Sequence, residues 1–288
     1  MVASNRKTQP GPNPPMFDSH KNASLLYGAY RLMELVYHNT VRSVRKGHRD
    51  AIFAIVANII QTLVMVGAFY LFIHYMGLRA LAIRGDFLLY VLSGIFVFMV
   101  NIKSMGAVAG AEGPTSAMMQ HLPMNTTISV GAAALSALYT QMISMFVILG
   151  GYHLIWRPLN IDDPLGAFSM IILAWFNGCA IGMVLLAVKP WFPRGTSTAQ
   201  QIYSRFNMFA SGKMFVANSL PTHLVLLFSW NPLFHIIDQG RGYIFINYNP
   251  LKSSLTYPIV VSVILLVIGI IGESRTRQHA SLSWTAGR

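Results

Sequence analysis

The chain has 288 residues, of which 54% are hydrophobic and only 10% charged, and 21 basic residues outnumber nine acidic ones. An ordinary soluble domain contains about 25% charged residues. So few charges exclude a disordered chain, and they disfavour a soluble globule, whose surface needs polar cover. A single cysteine, Cys179, excludes a disulfide framework and the multi-cysteine zinc sites. The composition therefore predicts an all-α membrane protein that crosses the bilayer several times.

Two cytoplasmic segments are predicted before the first span. Residues 1–23 are polar and proline-rich and lack the apolar core of a signal peptide, which predicts a disordered cytoplasmic tail. Residues 24–46 have apolar side chains at spacings of three and four, which predicts an amphipathic helix on the membrane surface. The candidate interfacial residues are Tyr30, Arg31, Met33, Tyr37, Arg42 and Arg45. A soluble amphipathic helix packed on a partner protein fits the pattern equally, but the position before the first span favours the interface.

Stretches without formal charge mark the spans, because a helix needs about 20 mostly apolar residues to cross a bilayer. We predict six spans, at 51–76, around 87–102, 127–150, 166–188, about 200–218 and 254–272. Arg205 and Lys213 interrupt the fifth of them, which makes this region the least regular. Together the six spans form a predicted transmembrane domain at 47–274, and residues 275–288 form a short cytoplasmic tail.

The distribution of basic residues predicts the orientation. Eight of the 21 lysines and arginines precede residue 51, and an even number of spans puts both termini on one side. Lysine and arginine accumulate on cytoplasmic flanks, so both termini are expected in the cytoplasm. Nucleic-acid binding is disfavoured, because the basic residues flank spans and form no patch interleaved with aromatic residues.

The loop after the second span predicts a short cytoplasmic helix. Pro114 suits the first turn of a helix, and Pro123 disfavours helix at the residue before it. The resulting helix, about 114–121, carries Met118 and Met119, whose adaptable side chains suit a groove on a partner protein. A plain connecting loop remains the alternative.

Short apolar pieces broken by prolines occupy residues 218–257. Pro221 and Pro232 interrupt them, so neither piece can cross lipid with its backbone groups satisfied. This pattern predicts a re-entrant hairpin that opens to the outer side. Asp238 and Arg241, at an i, i+3 spacing, are expected near the outer surface.

Several of these segments resemble one family. The segments are Ser93-Gly94, Lys103-Ser-Met-Gly, His121-Leu-Pro123, Ser219-Leu-Pro221 and Trp230-Asn-Pro-Leu-Phe-His235. With them, over about 24–277, the chain resembles the membrane subunits of ABC-2-type exporters, specifically the bacterial capsular-polysaccharide and O-antigen exporter permeases. It departs from them in Gly47-His-Arg-Asp, where a Gly-x-Leu-Trp-type segment is usual, and in Lys213 within the fifth span.

The resemblance implies a homodimer in the bacterial inner membrane, bound to two copies of a separate ABC ATPase subunit. ATP and Mg would then be bound by that partner, with no cofactor on this chain. The implied substrate is a polysaccharide or lipid-linked glycan, and periplasmic and outer-membrane export proteins are implied partners. The resemblance also assigns 24–46 as the interfacial helix, 219–243 as the re-entrant helices and about 112–123 as the helix that docks on the ATPase. The candidate coupling residues are Glu112, Pro114, Met118, Met119, His121 and Pro123.

The sequence contains no enzyme motif. Ser211-Gly212-Lys213-Met214 lacks both the hydroxyl residue and the upstream glycine of a phosphate-binding loop. His235 and Asp238 have no nucleophile beside them in sequence, and the nine histidines show no metal-ligand spacing. These absences favour a transport subunit that leaves ATP hydrolysis to another chain.

Six residues are candidates for the substrate path: Lys213, Trp230, Asn231, Phe234, His235 and Tyr243. An ammonium at mid-membrane costs about 2.5–3.5 kcal/mol, so Lys213 either meets an anionic substrate group, snorkels to the interface or pairs with a carboxylate of a second subunit. The aromatic residues fit an interfacial belt best, with a minority stacking on sugar rings. Other functions consistent with the sequence are an ABC-2 exporter of a drug or lipid, an ATP-independent channel and a membrane-bound transferase.

Overall fold

The computed structural model describes residues 34–38, 40, 51–75, 86–112 and 126–285. This part of the chain consists of helices and their connections and contains no strand, which confirms the predicted all-α class. Its longer helices are α1 (Ala51–Tyr75), α2 (Phe87–Ala109), α3 (Thr126–Ile155), α4 (Pro164–Val188), α5 (Pro193–Ala210), α6 (Thr222–Phe228), α7 (Pro232–Ile244) and α8 (Thr256–Thr285). A 3-10 turn at Ala217–Ser219 precedes α6.

Five of the described helices are long and apolar enough to cross a membrane: α1, α2, α3, α4 and α8. Each overlaps a predicted span, and α2 continues past the predicted end at 102 to Ala109. The chain is therefore a multi-pass helical membrane protein. α8 continues to Thr285, into the segment predicted as a cytoplasmic tail.

The predicted fifth span at about 200–218 differs from the structure. The helix in this region, α5, ends at Ala210, and Gly212 then takes a left-handed backbone conformation with φ of 78°. Glycine adopts this conformation without the steric cost that a side chain brings. Lys213 consequently lies in a turn after the helix and not inside a span. α5 is also too polar to count among the five apolar helices.

Helix α2 forms the centre of the bundle and packs against α1, α3, α4 and α7. Glycines allow α4 to approach it closely. A Cβ atom added to Gly178 would lie 2.3 Å from the carbonyl oxygen of Asn101, and one added to Gly182 would lie 2.7 Å from that of Met105. Small residues at a spacing of four permit this contact between spanning helices.

A chain of buried polar side chains fixes the register of three spanning helices. Asn101 of α2 donates from Nδ2 to Asn177 Oδ1 of α4 at 2.9 Å and to the Ala174 carbonyl at 3.0 Å. Asn177 in turn donates to Ser262 Oγ of α8 at 2.8 Å. Hydrogen bonds between spanning helices average about 0.6 kcal/mol each, so this chain contributes more to alignment than to total stability.

Candidate functional site

Two short helices, α6 and α7, follow one another in the chain before the last long helix, α8. They are separated at residues 229–231, next to Pro232, as the proline pattern predicts. Asn231 caps α7 by accepting the Leu233 amide hydrogen at 3.1 Å, and Pro232 occupies the first turn. An asparagine cap followed by proline is a strong start signal for a helix. This local chemistry places α7 against the bundle, where it contacts α2 and α4.

Asn231 also connects α7 to the end of α5. Its Nδ2 donates to Asn207 Oδ1 at 2.8 Å and to the Ala210 carbonyl at 3.0 Å. Every polar atom of the side chain is thereby engaged inside the subunit. Asn231, a predicted substrate-path residue, thus lies at the junction of two helices.

Arg241 of α7 holds the turn that follows α5. Its Nη1 donates to the carbonyls of Gly212 and Phe215, both at 2.8 Å, and its Nη2 donates to the Lys213 carbonyl at 2.6 Å. The guanidinium lies 4.1 Å from the centre of the Tyr90 ring. The planar fork of arginine suits several acceptors at once, so a single side chain satisfies three buried carbonyls.

Asp238 and Arg241, predicted near the outer side of the membrane, each make contacts within the subunit. Both side chains are buried inside the subunit. The carboxylate of Asp238 accepts hydrogen bonds from the hydroxyls of Tyr248 and Ser253, whereas Arg241 bonds to backbone carbonyls. The two side chains, three residues apart on α7, therefore contact different segments. Arg241 contacts the turn after α5, and Asp238 contacts the segment between α7 and α8.

Lys213 is buried to 2% exposure, with its ammonium between two aromatic rings. Nζ lies 3.3 Å from the centre of the Phe98 ring and 4.6 Å from that of Phe69. Within the described part of the chain, Nζ has no hydrogen-bond partner. Cation–π contact gives about 2 kcal/mol when water is excluded, which offsets part of the cost of burying the charge.

The turn carrying Lys213 and Arg241 lies directly on Gly94 of α2. A Cβ atom at Gly94 would lie 2.9 Å from Lys213 Cβ and 3.0 Å from Arg241 Nη2. The lack of a side chain at Gly94 thus allows the turn to approach the central helix. The contact involves one of the segments on which the resemblance rests, Ser93-Gly94.

Lys213→Met is expected to yield a folded protein whose unfolding midpoint is at least that of the wild type. Methionine keeps contact with Phe69 and Phe98 and removes the desolvation cost of the ammonium. The midpoint in mild detergent measures this, with export of substrate assayed in parallel. A large fall in the midpoint would contradict the packing role, and loss of export by a stable variant would support the substrate-path hypothesis.

His235 and Asp238 both hold the segment between α7 and α8. His235 Nδ1 accepts the Ser254 amide hydrogen at 3.0 Å, so the ring proton is on Nε2, which donates to the Ser229 carbonyl at 2.7 Å. Burial and the Asp238 carboxylate raise the pKa of Tyr248, which keeps its hydroxyl a donor to that carboxylate. The side chains of His235 and Asp238 are thus both engaged in contacts within the subunit.

The aromatic candidates differ in exposure. Phe234 is buried beside Phe215 and Phe228, and Tyr243 packs over Gly166. Trp230 is 57% exposed, and its ring centre lies 5.5 Å from that of Phe206 on α5. Trp230 is therefore the one of the six predicted path residues with a large accessible surface.

Most predicted interfacial and coupling residues lie outside the described residues. Residues 34–38 and 40 are helical and Tyr37 is exposed, whereas Tyr30, Arg31, Met33, Arg42 and Arg45 fall outside. Of the coupling candidates only Glu112 is described, and its amide donates to Ser129 Oγ at 3.2 Å. The other coupling candidates lie outside the described residues: Pro114, Met118, Met119, His121 and Pro123.

Helix α5 presents a surface that the sequence analysis missed. Its buried side holds Asn207 and Ala210. Its exposed side is divided between an apolar stripe, made of Ile202, Phe206 and Phe209, and a polar stripe, made of Thr198, Gln201 and Arg205. The spacing of three and four within each stripe was visible in the sequence, but interpreting the segment as an apolar span obscured it.

These features define a multi-pass membrane protein in which one polar helix and a broken helical segment pack against apolar spans. No protein-family model matches the chain. The chain is similar to two proteins of Escherichia coli that are both named polysialic acid transport protein KpsM. They are 24% and 26% identical to it over 208 residues, which cover 69% of this chain and 76% of each relative. This similarity confirms the predicted resemblance to membrane subunits of polysaccharide exporters.

Proposed function

We propose that the chain is the membrane permease subunit of an ATP-driven exporter that moves a polysaccharide out across the bacterial inner membrane. The similarity to two polysialic acid transport proteins over more than two thirds of the chain carries this proposal. Five apolar helices supply a membrane body of the required kind. The sequence lacks a phosphate-binding loop, so ATP and Mg are assigned to a separate subunit.

The working assembly is a homodimer with two ATPase subunits and with both termini in the cytoplasm. The segment around 112–123 docks on the ATPase, and the α6–α7 hairpin is re-entrant and opens to the outer side. The buried polar contacts of α7 support a re-entrant hairpin, because irregular backbone at membrane depth must be enclosed by protein or line a watery cavity.

The polar stripe of α5 lines the substrate path in this proposal. Thr198, Gln201 and Arg205 are exposed on a helix that packs beside α2 and α4. A stripe of this kind is costly against lipid but favourable against water and a hydroxyl-rich polymer. The neighbouring apolar stripe of Ile202, Phe206 and Phe209 would face lipid or the second subunit.

Arg205→Leu is expected to lower export several-fold without lowering the unfolding midpoint. The side chain is exposed, so its loss leaves no buried group unsatisfied, but it removes a cation from the proposed path. Polymer appearing at the cell surface over time measures the effect. The matched control is Arg275→Leu, which removes an exposed arginine of α8. Equal export by both variants and the wild type would contradict the path along α5.

The substrate class is tested by depleting the chain in its native bacterium and measuring polysaccharide inside and outside the cell. We expect surface polymer to fall while polymer accumulates in the cytoplasm. A membrane-bound transferase would instead lower the total amount of polymer. An exporter of a drug or lipid, or an ATP-independent channel, would leave the polymer distribution unchanged. Either of the last two outcomes would contradict the proposal.

A further inference from the structure

A polar cavity of about 410 Å³ lies between α1, α2 and α3. Small residues on the three helices leave this space open: Ala57, Ala107, Ala133, Ser136 and Ala137. Polar side chains complete the lining: Asn58, Gln61, Lys103, Thr140 and Gln141. We call this cavity the Lys103 groove. Polar residues within spanning helices mark functional sites by default, and the path proposed along α5 does not use these ones.

Internal hydrogen bonds hold the polar lining in place. Asn58 Nδ2 donates to Ser144 Oγ at 2.7 Å, and Gln141 Nε2 donates to Asn58 Oδ1 at 3.0 Å. These contacts connect α1 to α3 and occupy the Asn58 and Gln141 amides. Between α2 and α1, Lys103 Nζ donates to Gln61 Oε1 at 2.6 Å. The Gln61 oxygen is thereby used, which leaves its amide hydrogens and the other ammonium hydrogens of Lys103 as donors toward the cavity.

The charge of Lys103 is uncompensated within the described part of the chain. Among the residues that the structure describes, no carboxylate lines the groove and no acid forms an ion pair with Lys103. An opposite charge nearby offsets part of the cost of removing a positive charge from water. The cation of Lys103 and the amide donor of Gln61 therefore match a small anionic group.

The depth of the groove indicates where that anion comes from. Lys103 lies about 9 Å from the end of α2 at a rise of 1.5 Å per residue, which is close to the headgroup boundary. The distribution of basic residues puts this end of α2 on the cytoplasmic side. Exposed apolar side chains, such as Ile60 of α1 and Leu135 of α3, lie on the same helices. An amphiphile can thus place its acyl chains along these helices and its headgroup in the groove.

We propose that the Lys103 groove binds the phosphate of an anionic lipid headgroup from the cytoplasmic leaflet. The Lys103 ammonium and the Gln61 amide donate to the phosphate oxygens, and the alanines leave room for the rest of the headgroup. The site does not depend on the chain being a polysaccharide exporter.

The test uses the purified full chain, with any subunit that accompanies it, in neutral detergent. The unfolding midpoint is followed while phosphatidylglycerol, phosphatidylcholine with the same acyl chains, or glycerol phosphate is added. We expect phosphatidylglycerol to raise the midpoint more than phosphatidylcholine, which neutralises its phosphate with its own cation. Lys103→Met is expected to weaken phosphatidylglycerol binding at least tenfold, whereas Lys252→Met, which removes a lysine outside the groove, retains it.

Ala137→Leu provides a second variant that keeps both polar groups. The larger side chain fills the hollow, so we expect the same loss of phosphatidylglycerol binding if the lipid enters the groove. No preference for phosphatidylglycerol in the wild type, or a preference that survives both substitutions, would overturn the proposal. Equal, Lys103-dependent stabilisation by glycerol phosphate would support the phosphate site but assign it a soluble ligand.

Discussion

Arg241→Met is expected to abolish accumulation of folded protein or to lower its unfolding midpoint drastically. The substitution leaves the carbonyls of Gly212, Lys213 and Phe215 without their donor in a buried turn. An unsatisfied buried acceptor costs about 1–3 kcal/mol, and three such acceptors approach the whole stability of a typical domain, about 5–15 kcal/mol. The yield of monodisperse protein and the midpoint in mild detergent measure the effect.

Two further variants distinguish the effect of the several hydrogen-bond donors of Arg241 from the effect of its charge. Arg241→Lys keeps the charge but reaches fewer acceptors, so we expect a midpoint between those of the wild type and the methionine variant. Arg157→Met removes an arginine whose side chain is 72% exposed and lies 4.0 Å from Asp86, so little change is expected. A midpoint of Arg241→Met equal to that of Arg157→Met would contradict the role of Arg241 as the support of this turn.

Gly178→Ala is expected to lower the unfolding midpoint markedly, although it adds only a methyl group. The new Cβ would lie 2.3 Å from the Asn101 carbonyl oxygen, and a backbone atom cannot move aside without separating α2 from α4. Overpacking of this kind costs about 1–3 kcal/mol. Separation would also stretch the hydrogen bond between Asn101 and Asn177.

Gly150→Ala is the control for this substitution, because no described atom beyond its own stretch of helix lies within 4 Å of the Cβ position there. Alanine is favoured over glycine inside a helix by about 0.8–1.0 kcal/mol, so the control is expected to be neutral or slightly stabilising. If both variants unfold at the same temperature, the close contact between α2 and α4 is not as described.

The sequence predicted the spanning helices well, because long stretches without charge dictate helices that cross a bilayer. The prediction of a span at about 200–218 differs from the structure, because α5 is polar. Its serine, threonine, glutamine and asparagine residues carry no charge, so a search for charged residues does not detect them. The end of α5 depends on the backbone conformation of Gly212, which no periodicity reveals. Between Arg205 and Lys213 the only sequence marker for the turn is the dipeptide Ser211-Gly212.

The candidate site was predictable only in part. The prolines at 221 and 232 indicated two short helical pieces, because proline is a local signal. The partners of Asn231 and His235 are set by contacts distant in sequence, with Asn207 on α5 and Ser254 before α8. Lys213 was singled out by its charge, but its place between Phe69 and Phe98 follows from the packing of α1 against α2.

Across the described residues, most of the predicted path residues stabilise the subunit, and the polar surface lies elsewhere. Asn231, Phe234, His235 and Lys213 are buried, whereas the polar stripe of α5 is exposed. A helix α7 held by internal hydrogen bonds, beside an exposed polar helix, suits a permease, because a path needs a polar wall on a stable support.

The most direct test of the central claim is affinity purification of the chain from native membranes in mild detergent, with the accompanying proteins identified by mass spectrometry. A permease of the proposed kind is expected to bring a separate ATPase subunit with it in equimolar amount. Reproducible absence of any ATPase, from preparations in which the chain itself is intact, would contradict an ATP-driven exporter and favour a channel or a membrane-bound transferase.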